Sequence, residues 1–348
     1  MNTESGGTPG MPPGNAGFSA LLRRAIAPRS AAIQVIGFAL GAVLVAWVVK
    51  GAIAAADAPG RAGMLESLAA AWRDRPWLIV GIAVTTVASL VIDGALFWLV
   101  LRPVRRLAFM EIQWLTFLAA TSNFFPVRLG LPVRYAYAML ANRISFAEAT
   151  AWFAAVTVVI LASLGAVVAA TAIVPKPGFA WVVLVLAGIG AGGLLLHRIA
   201  RLGPVERTMG RWTPMLTTPS TYWIGSVLRA AEVLLWVVRM WCAGEILGLG
   251  LDFATVTVLG VASIAVMLNP LGRVGFREAT TVIVANWMAG GGLDVAHADA
   301  GFTQLALLES LGEMLATVPL GVVALPMTIA WYRTRRAEPA PVGPAEPA

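Results

Sequence analysis

The sequence predicts an all-α, polytopic membrane protein, and three observations carry that prediction. Of its 348 residues, 59% are hydrophobic and only 12% are charged, about half the charged share of an average soluble domain. The mean hydropathy is +0.80. Several segments run for nearly twenty residues without a charge, which is the length a helix needs to cross about 30 Å of hydrocarbon. These segments are continuously apolar, whereas the strands of a transmembrane barrel alternate.

Six segments are long and apolar enough to be full spans. They are residues 31–54, 77–101, 147–173, 178–197, 221–247 and 304–331. Two further apolar segments, residues 112–142 and 254–291, are interrupted by Pro, Gly and Arg. Each divides into two legs of about 10–15 residues, which are too short to cross a bilayer alone. We therefore expect two broken helical segments beside about six full spans.

Arginines at the ends of the spans predict the orientation of the chain. These are Arg23, Arg24, Arg29, Arg102, Arg105, Arg106, Arg198, Arg201, Arg207, Arg211, Arg333, Arg335 and Arg336. If all are cytoplasmic, as the positive-inside rule requires, neither broken segment can cross once. Each is then a re-entrant hairpin or an even number of crossings. Both chain termini are expected in the cytoplasm.

The same topology predicts an inverted repeat. A span, a hairpin and a span occur in residues 77–173 and again, with opposite polarity, in residues 221–331, as in many secondary transporters. The hairpin tips "PVRLG" and "PLGRVG" also resemble each other. The shared Pro, Arg and Gly positions are Pro126, Arg128 and Gly130 in the first tip and Pro270, Arg273 and Gly275 in the second.

Both ends of the chain are predicted to be disordered and cytoplasmic. Residues 1–29 are rich in Gly, Pro and polar side chains, and residues 333–348 form a Pro/Ala-rich tail. Neither composition can bury enough apolar surface to fold. The transmembrane domain is therefore expected over residues 30–332.

The composition disfavours several kinds of site. A single cysteine, Cys242, cannot form an internal disulfide or a cysteine metal cluster. His197 and His297 lie far apart at the ends of apolar segments, so no metal and no other cofactor is expected. The net charge of +7 comes from arginines flanking the spans, so it does not indicate a nucleic-acid partner.

The two hairpin tips are the predicted substrate site. The second legs are expected to begin near Val133 and Phe276, with their partly positive N-termini directed into the membrane. Arginine suits phosphate because its planar fork donates two parallel hydrogen bonds. The predicted substrate-binding residues are Asn123, Arg128, Arg134, Arg273, Arg277 and Glu278. The predicted turn residues are Pro126, Gly130, Pro270, Gly272 and Gly275. Structural pairing of the arginines with buried carboxylates is the alternative.

Further ionisable residues lie inside the spans, where charges are costly and often mark pathways or sites. The spacing of Arg229 and Glu232 predicts a direct ion pair. Glu309 and Glu313 would repel each other if both were charged, so one is expected to be protonated or paired with a hairpin arginine. The predicted buried charge network comprises Asp93, Glu232, Arg239, Glu309 and Glu313.

The two broken segments resemble the two signatures of the lysylphosphatidylglycerol synthase transmembrane, or flippase-like, family. In "SNFFPVRLGLPVRYAYAML" the matching positions are Asn123, Pro126, Arg128, Gly130 and Arg134. In "NPLGRVGFRE" they are Pro270, Gly272, Gly275, Arg277 and Glu278. Leu131 stands where the family pattern has an acid, and Arg273 stands where it has a glycine.

The resemblance covers about residues 30–332 and implies a multi-pass protein of the bacterial inner (plasma) membrane that moves lipids between leaflets. We expect no enzyme activity, because no catalytic motif is recognisable and residues 333–348 leave no room for the aminoacyltransferase domain of the fused members. The predicted function is a flippase or transporter for an anionic or phosphate-bearing phospholipid. The expected partners are membrane lipids with anionic headgroups, together with a candidate lipid-modifying enzyme. The alternatives are a membrane-embedded enzyme and a non-transporting scaffold in lipid, glycolipid or hopanoid metabolism.

Overall fold

The computed structural model describes residues 39–50, 63–124, 129–202, 210–266, 275–288 and 300–337. Within these ranges the regular structure is helical and contains no strand. The helices are α1 (Ala39–Lys50), α2 (Met64–Asp74), α3 (Pro76–Leu101), α4 (Phe109–Ser122), α5 (Gly130–Leu140), α6 (Phe146–Ile173), α7 (Phe179–Ala200), α8 (Gly225–Ile246), α9 (Phe253–Ala265), α10 (Phe276–Met288) and α11 (Ala300–Ala337). Short turns over Gly210–Trp212, Pro214–Thr217 and the π-helical Ser220–Ile224 precede α8.

Five helices in the described ranges are long and apolar enough to cross a membrane. They are α3, α6, α7, the continuous helix Ser220–Ile246 that contains α8, and Gly301–Ala337 within α11. Their mean hydropathies run from 1.3 to 2.5. An all-helical chain with several such helices indicates a multi-pass membrane protein, as the sequence predicts. Of the first predicted span, residues 31–54, only α1 lies in the described part of the chain.

The predicted spans agree closely with the helices that hydropathy can detect. The spans expected at 77–101, 147–173 and 221–247 correspond to α3, α6 and Ser220–Ile246. The last span was expected to end at residue 331, but α11 continues to Ala337. This last part of α11 is polar, so hydropathy alone does not reveal it.

Both predicted broken segments consist of two short helices. Helices α4 and α5 contain 14 and 11 residues, and α9 and α10 contain 13 each. Helix α10 begins at Phe276 as predicted, but α5 begins at Gly130 and not near Val133. The prediction was wrong because Pro132 falls in the first turn of α5, where a backbone N–H has no helical partner to lose.

Helix α2 is not predicted by the hydropathy pattern. It carries apolar residues on a helix too short and too polar to span, with Leu65 and Trp72 exposed and Ala71 buried. It packs against α3 and α8. A short amphipathic helix of this kind is suited to the plane of the membrane interface.

The helices pack in a pattern that is duplicated along the chain. Helices α3 and α8 pack against each other at the centre of the bundle. Helix α3 contacts α4, α6 and α11, and α8 correspondingly contacts α9, α11 and α6. The contacts of α4 with α5 and α11 are likewise matched by those of α9 with α10 and α6. The two broken segments therefore have corresponding neighbours among the longer helices.

A buried carboxylate fastens the end of α11 to the first broken segment. Glu111 on α4 is fully buried, and its Oε2 accepts hydrogen bonds from Arg335 Nη2 at 2.7 Å and Nε at 3.1 Å. The hydroxyl of Tyr137 on α5 donates to Glu111 Oε1 at 3.0 Å. These bonds hold α4, α5 and α11 together and explain why α11 continues past its apolar part.

Gly275 is a position where a side chain is expected to be costly. Its φ is +87°, and a Cβ there would overlap the carbonyl oxygen of Gly41 on α1. We expect Gly275→Ala to lower the thermal unfolding midpoint in detergent, because a left-handed backbone alone costs a non-glycine residue about 1–3 kcal/mol. Gly165→Ala is the matched control, since a Cβ at Gly165 meets no atom within 4 Å. Equal midpoints for the two variants would contradict this assignment.

The N-cap of α9 makes a pH-dependent contribution to stability. Hydrogen bonds from the side chain and the backbone N–H of Thr255, the latter at 2.7 Å, lower the pKa of the Asp252 carboxyl. Because the folded pKa lies below the unfolded value of about 3.9, this stabilisation is present above about pH 4 and is lost as pH falls through the folded pKa. We expect Asp252→Ala to cost about 1 kcal/mol at neutral pH.

The pH dependence of this cap is measured by thermal unfolding in detergent across an acidic pH series. The difference between the wild-type chain and Asp252→Ala should shrink as pH falls below about 4. Asp252→Asn keeps an acceptor oxygen that does not titrate, so its cap should be insensitive to pH. A difference between wild type and Asp252→Ala that grows on acidification would refute the assignment.

Candidate functional site

A four-residue ion cluster lies where α3, α5 and α8 meet, and we call it the Asp93 cluster. Arg134 Nη2 on α5 donates to Asp93 Oδ2 on α3 at 2.9 Å. Arg229 Nη1 on α8 lies 4.0 Å from Asp93 Oδ1 and donates to Glu232 one turn further along α8. The pairing of Arg229 with Glu232 confirms the prediction from their spacing.

The members of the Asp93 cluster differ in their access to the surroundings. The side chains of Arg134, Arg229 and Glu232 are less than a tenth exposed, whereas that of Asp93 is 22% exposed. The Arg134 guanidinium also lies over the ring of Phe97, 3.7 Å from its centroid, a favourable cation–π arrangement. Asp93 is therefore the most exposed residue of this otherwise buried cluster.

A second cluster, which we call the glutamate cluster, joins α8, α10 and α11. It contains Arg239 on α8, Arg277 and Glu278 on α10, and Glu309 and Glu313 on α11. Arg239 Nε lies 2.6 Å from Glu309 Oε1, and Arg239 Nη2 lies 3.7 Å from Glu313 Oε2. One guanidinium thus contacts both glutamates of α11.

Arg277 is surrounded by three carboxylates. Its Nη1 donates to Glu313, and its Nη2 lies 3.0 Å from Glu309 Oε2 and 3.7 Å from Glu278 Oε1. The hydroxyl of Ser310 accepts from Arg277 Nη2 and donates to Glu278. The glutamates expected to repel each other, Glu309 and Glu313, are therefore both paired with this arginine.

Glu278 links the glutamate cluster to the break in the second segment. Its Oε2 accepts a hydrogen bond from the backbone N–H of Gly275 at 2.6 Å. This bond satisfies a donor at the N-terminus of α10 that has no helical partner. Glu278 therefore fixes the start of α10 while its other oxygen faces Arg277.

Two further residues complete the surroundings of Arg239. Its Nη1 donates to Thr86 Oγ1 on α3 at 3.1 Å, and its guanidinium lies 3.8 Å from the ring centroid of Trp236. Thr86 lies two turns before Asp93 on α3, and Arg239 lies two turns after Glu232 on α8. The two clusters therefore lie about two helical turns apart along the same pair of helices, α3 and α8.

Burial makes complete pairing in the glutamate cluster necessary. Its five side chains are at most 7% exposed. Removing an ion from water costs several kcal/mol, which only close opposite charges and hydrogen bonds can offset. Within the described part of the chain, Arg277 Nε and Arg239 Nη2 have no hydrogen-bond acceptor. The arginines thus retain donor capacity beyond the ion pairs they make.

Asn123 joins the two helices of the first broken segment. Its side-chain oxygen accepts from the backbone N–H of Gly130 at 3.1 Å, across the gap between α4 and α5. A Cβ at Gly130 would overlap this oxygen and the carbonyl oxygen of Ala119. In the structure, Asn123 thus bonds to the start of α5, and Gly130 permits the close approach on which that contact depends.

The remaining predicted residues divide between the clusters and the tips. Arg134 belongs to the Asp93 cluster, and Arg277 and Glu278 belong to the glutamate cluster. The network residues Asp93, Glu232, Arg239, Glu309 and Glu313 are shared between the same two clusters. The tip residues Pro126, Arg128, Pro270, Gly272 and Arg273 lie outside the described residues.

Some members of the site carry only a weak sequence signal. Ser310 lies between Glu309 and Glu313 on one apolar span, and Thr86 is one of two consecutive threonines in α3. Small hydroxyl residues are common in membrane helices, where they bond to the preceding turn, as Thr86 also does with Ile82. Only the cross-helix geometry distinguishes these two from structural hydroxyls.

The comparisons with known proteins identify no relative. The chain matches no family model, no curated protein and no solved structure. In the described ranges, no group of three or more His, Cys, Asp or Glu side chains is arranged to hold a metal ion. The resemblance to the flippase-like family stays a prediction, and the functional argument rests on the two clusters.

The pairing of Arg239 with Glu309 can be tested by a double-mutant cycle. Either Arg239→Met or Glu309→Gln alone should destabilise the protein, the arginine change by about 3–5 kcal/mol because it strips a buried carboxylate of its nearest cation. The double variant should be more stable than Arg239→Met. The measurement is thermal unfolding of each variant in the same detergent.

A pair at the edge of the bundle provides the control cycle. Arg105 Nε lies 3.0 Å from Glu148 Oε1, but the arginine side chain is 39% exposed. Water can solvate Arg105 when its partner is removed, so Glu148→Gln should cost only about 1 kcal/mol. A cost of the double variant equal to the sum of the two single costs would rule out mutual stabilisation of Arg239 and Glu309.

Proposed function

We propose that this protein binds an anionic, phosphate-bearing membrane lipid through its buried arginines and moves it between the two leaflets. The observation that carries the proposal is the presence of four arginines in the interior of the bundle, none more than a tenth exposed. They are Arg134, Arg229, Arg239 and Arg277. Charges buried within membrane segments are expensive and commonly line a substrate or ion pathway.

The arginine contacts are of a kind that phosphate can replace. A guanidinium binds a carboxylate and a phosphate with the same donors and similar geometry. Arg277 and Arg239 also have donors without an acceptor in the described part of the chain. A headgroup phosphate can therefore take the place of an internal carboxylate, and the carboxylates stabilise the arginines when no lipid is bound.

The Asp93 cluster is the proposed entry point for the headgroup. Asp93 is the most exposed acid of the two clusters, and Arg134 lies directly behind it at 2.9 Å. A lipid phosphate that approaches from this side meets Arg134 first, then Arg229, which already lies 4.0 Å from Asp93. The glutamate cluster, at the next level along α3 and α8, is the proposed inner position.

The duplicated packing supports alternating access. Helices α3 to α6 and α8 to α11 make equivalent contacts, and each half contributes one arginine from the second helix of its broken segment. In inverted-repeat transporters, rocking of one half against the other exposes a central site to each side in turn. We propose that the two halves of this protein are such repeats and that the termini lie in the cytoplasm.

Arg134→Lys tests this function without removing a charge. Lysine keeps the positive charge but lacks the planar fork that binds phosphate through two hydrogen bonds. In proteoliposomes with fluorescent phosphatidylglycerol, we expect Arg134→Lys to slow movement between leaflets by about tenfold, since one charge-assisted hydrogen bond contributes about 1.5–3 kcal/mol. A quencher added to the outside reports which leaflet holds the label.

Two controls make the transport experiment decisive. Arg105→Lys alters an arginine that also pairs with a glutamate but lies at the edge of the bundle, so it should retain the wild-type rate. Fluorescent phosphatidylcholine, which has no net charge, should move more slowly than phosphatidylglycerol. Equal movement of both lipids by the wild-type protein, or an unchanged rate in Arg134→Lys, would contradict the proposed function.

A further inference from the structure

Helix α11 is anchored to different helices at its two ends. Near its start, Glu309 Oε1 lies 2.6 Å from Arg239 Nε on α8, and Glu309 Oε2 lies 3.0 Å from Arg277 Nη2 on α10. Near its end, Arg335 Nη2 donates to Glu111 Oε2 on α4 at 2.7 Å. The two carboxylates are at most 1% exposed. Separating either one from its arginine is therefore costly, and each end of α11 is held to its own neighbours.

The partners of α11 change within a short stretch of the helix. As far as Glu313, its side chains form ion pairs with α8 and α10. The carbonyl oxygen of Thr317 then accepts a hydrogen bond from Thr121 Oγ1 on α4 at 3.0 Å. Further along, the buried Ala324 belongs to an apolar cluster with Phe117 of α4. Helix α3 packs beside both portions of α11, so the change of partner is from α8 and α10 to α4.

Pro319 lies at this change of partners. It is one of two prolines inside α11. Because proline has no backbone N–H, the carbonyl oxygen of Leu315 loses its usual helical donor, and the pyrrolidine ring crowds the preceding turn. Membrane helices tolerate such a break where a neighbouring Ser or Thr side chain bonds to the backbone, as Thr121 does at Thr317. Helix α11 is therefore easier to bend at this point than along an unbroken stretch.

Pro326, the second proline of α11, lies in a stretch that has the same partner on both sides. Ala324, two residues before it, packs with Phe117 of α4. Trp331, five residues after it, packs against the apolar cluster that contains Leu115, also on α4. A bend at Pro326 would leave both flanking stretches of α11 against the same helix. It would not move one broken segment relative to the other.

We propose that α11 bends at Pro319 during transport, so that α10 with Arg277 moves relative to α4 and α5 with Arg134. The two ends of α11 are held by different helices, so rocking of one half against the other requires α11 to change shape. The bend takes up that change, and the buried ion pairs at the two ends need not break for the halves to move. This inference rests on the proposed function, in which the two arginines belong to halves that rock.

Two matched substitutions test the position of the hinge. Pro319→Ala and Pro326→Ala each restore a backbone N–H and remove a ring from an exposed position of the same helix. Neither should lower the thermal unfolding midpoint, because proline in a helix interior is itself unfavourable. Slower transport in Pro319→Ala can then not be attributed to a failure to fold.

The bend itself is measured by the distance between two spin labels on α11. The labels are attached at Leu311→Cys and Ile329→Cys, two exposed positions that flank both prolines. A Cys242→Ala background removes the single native cysteine. In nanodiscs that contain phosphatidylglycerol, the wild-type proline should give a broad or two-peaked distance distribution. Pro319→Ala should narrow it to a single distance of about 27 Å, the length of straight helix between the labels, whereas Pro326→Ala should keep the wild-type breadth.

Transport is measured in the same proteoliposome assay that is used for Arg134→Lys. Pro319→Ala should slow the movement of fluorescent phosphatidylglycerol by about tenfold, because the halves can then move only by straining a buried ion pair at one end of α11. Pro326→Ala should move the lipid at close to the wild-type rate. Both variants should bind phosphatidylglycerol in detergent as the wild type does, since neither proline belongs to the Asp93 cluster or the glutamate cluster.

The possible outcomes separate the hinge from the function on which it rests. If the wild-type protein moves phosphatidylglycerol no faster than phosphatidylcholine, the proposed function fails, and the hinge loses its role in transport. If phosphatidylglycerol moves selectively but the label distances are the same in the wild type and Pro319→Ala, the hinge is overturned while the function stands. Equal slowing by both alanine variants, or a narrowed distribution with undiminished transport, also overturns the assignment of Pro319.

Discussion

The requirement that buried charges stay paired determines how the centre of this bundle is arranged. Arg239 Nε on α8 lies 2.6 Å from Glu309 Oε1 on α11. This ion pair offsets the cost of removing both charges from water, so it requires the two helices to stay in this position. Arg277 imposes the same condition on α10, and Arg134 imposes it on α5 relative to α3. The apolar faces of these helices would tolerate many relative positions in lipid, because lipid chains are as apolar as leucine. The ion pairs make one arrangement much better than the others.

The two clusters differ in how readily their ion pairs can open. Asp93 can exchange its arginine for water, so its ion pair can open at modest cost. The side chains of Glu309 and Glu313 are 1% and 3% exposed, so opening their ion pairs with Arg277 is more costly. In the proposed function, a lipid phosphate would meet the ion pair that opens at modest cost before it reaches the enclosed glutamate cluster.

Hydropathy and turn chemistry predict the long apolar helices and the two broken segments, but not α2 or the contacts between helices. Helices α3 and α6 follow directly from long apolar runs, and the breaks before α5 and α10 follow from Pro and Gly. Helix α2 was missed because an amphipathic interfacial helix has no apolar run. The sequence also identified the charged members of both clusters, since each is an isolated charge in an apolar segment. It allowed one of Glu309 and Glu313 to pair with a hairpin arginine, but it could not show that Arg277 contacts both, because those contacts depend on the relative placement of two helices.

The contact between Gly41 and Gly275 has a consequence for how the chain is assembled in the membrane. The carbonyl oxygen of Gly41 on α1 lies so close to Gly275, at the start of α10, that a Cβ at Gly275 would overlap it. These residues lie more than two hundred positions apart, and an N-terminal segment leaves the ribosome well before its C-terminal counterpart. Helix α1 is therefore synthesised long before the residue against which its Gly41 packs. This contact can form only after the second half of the chain has been made.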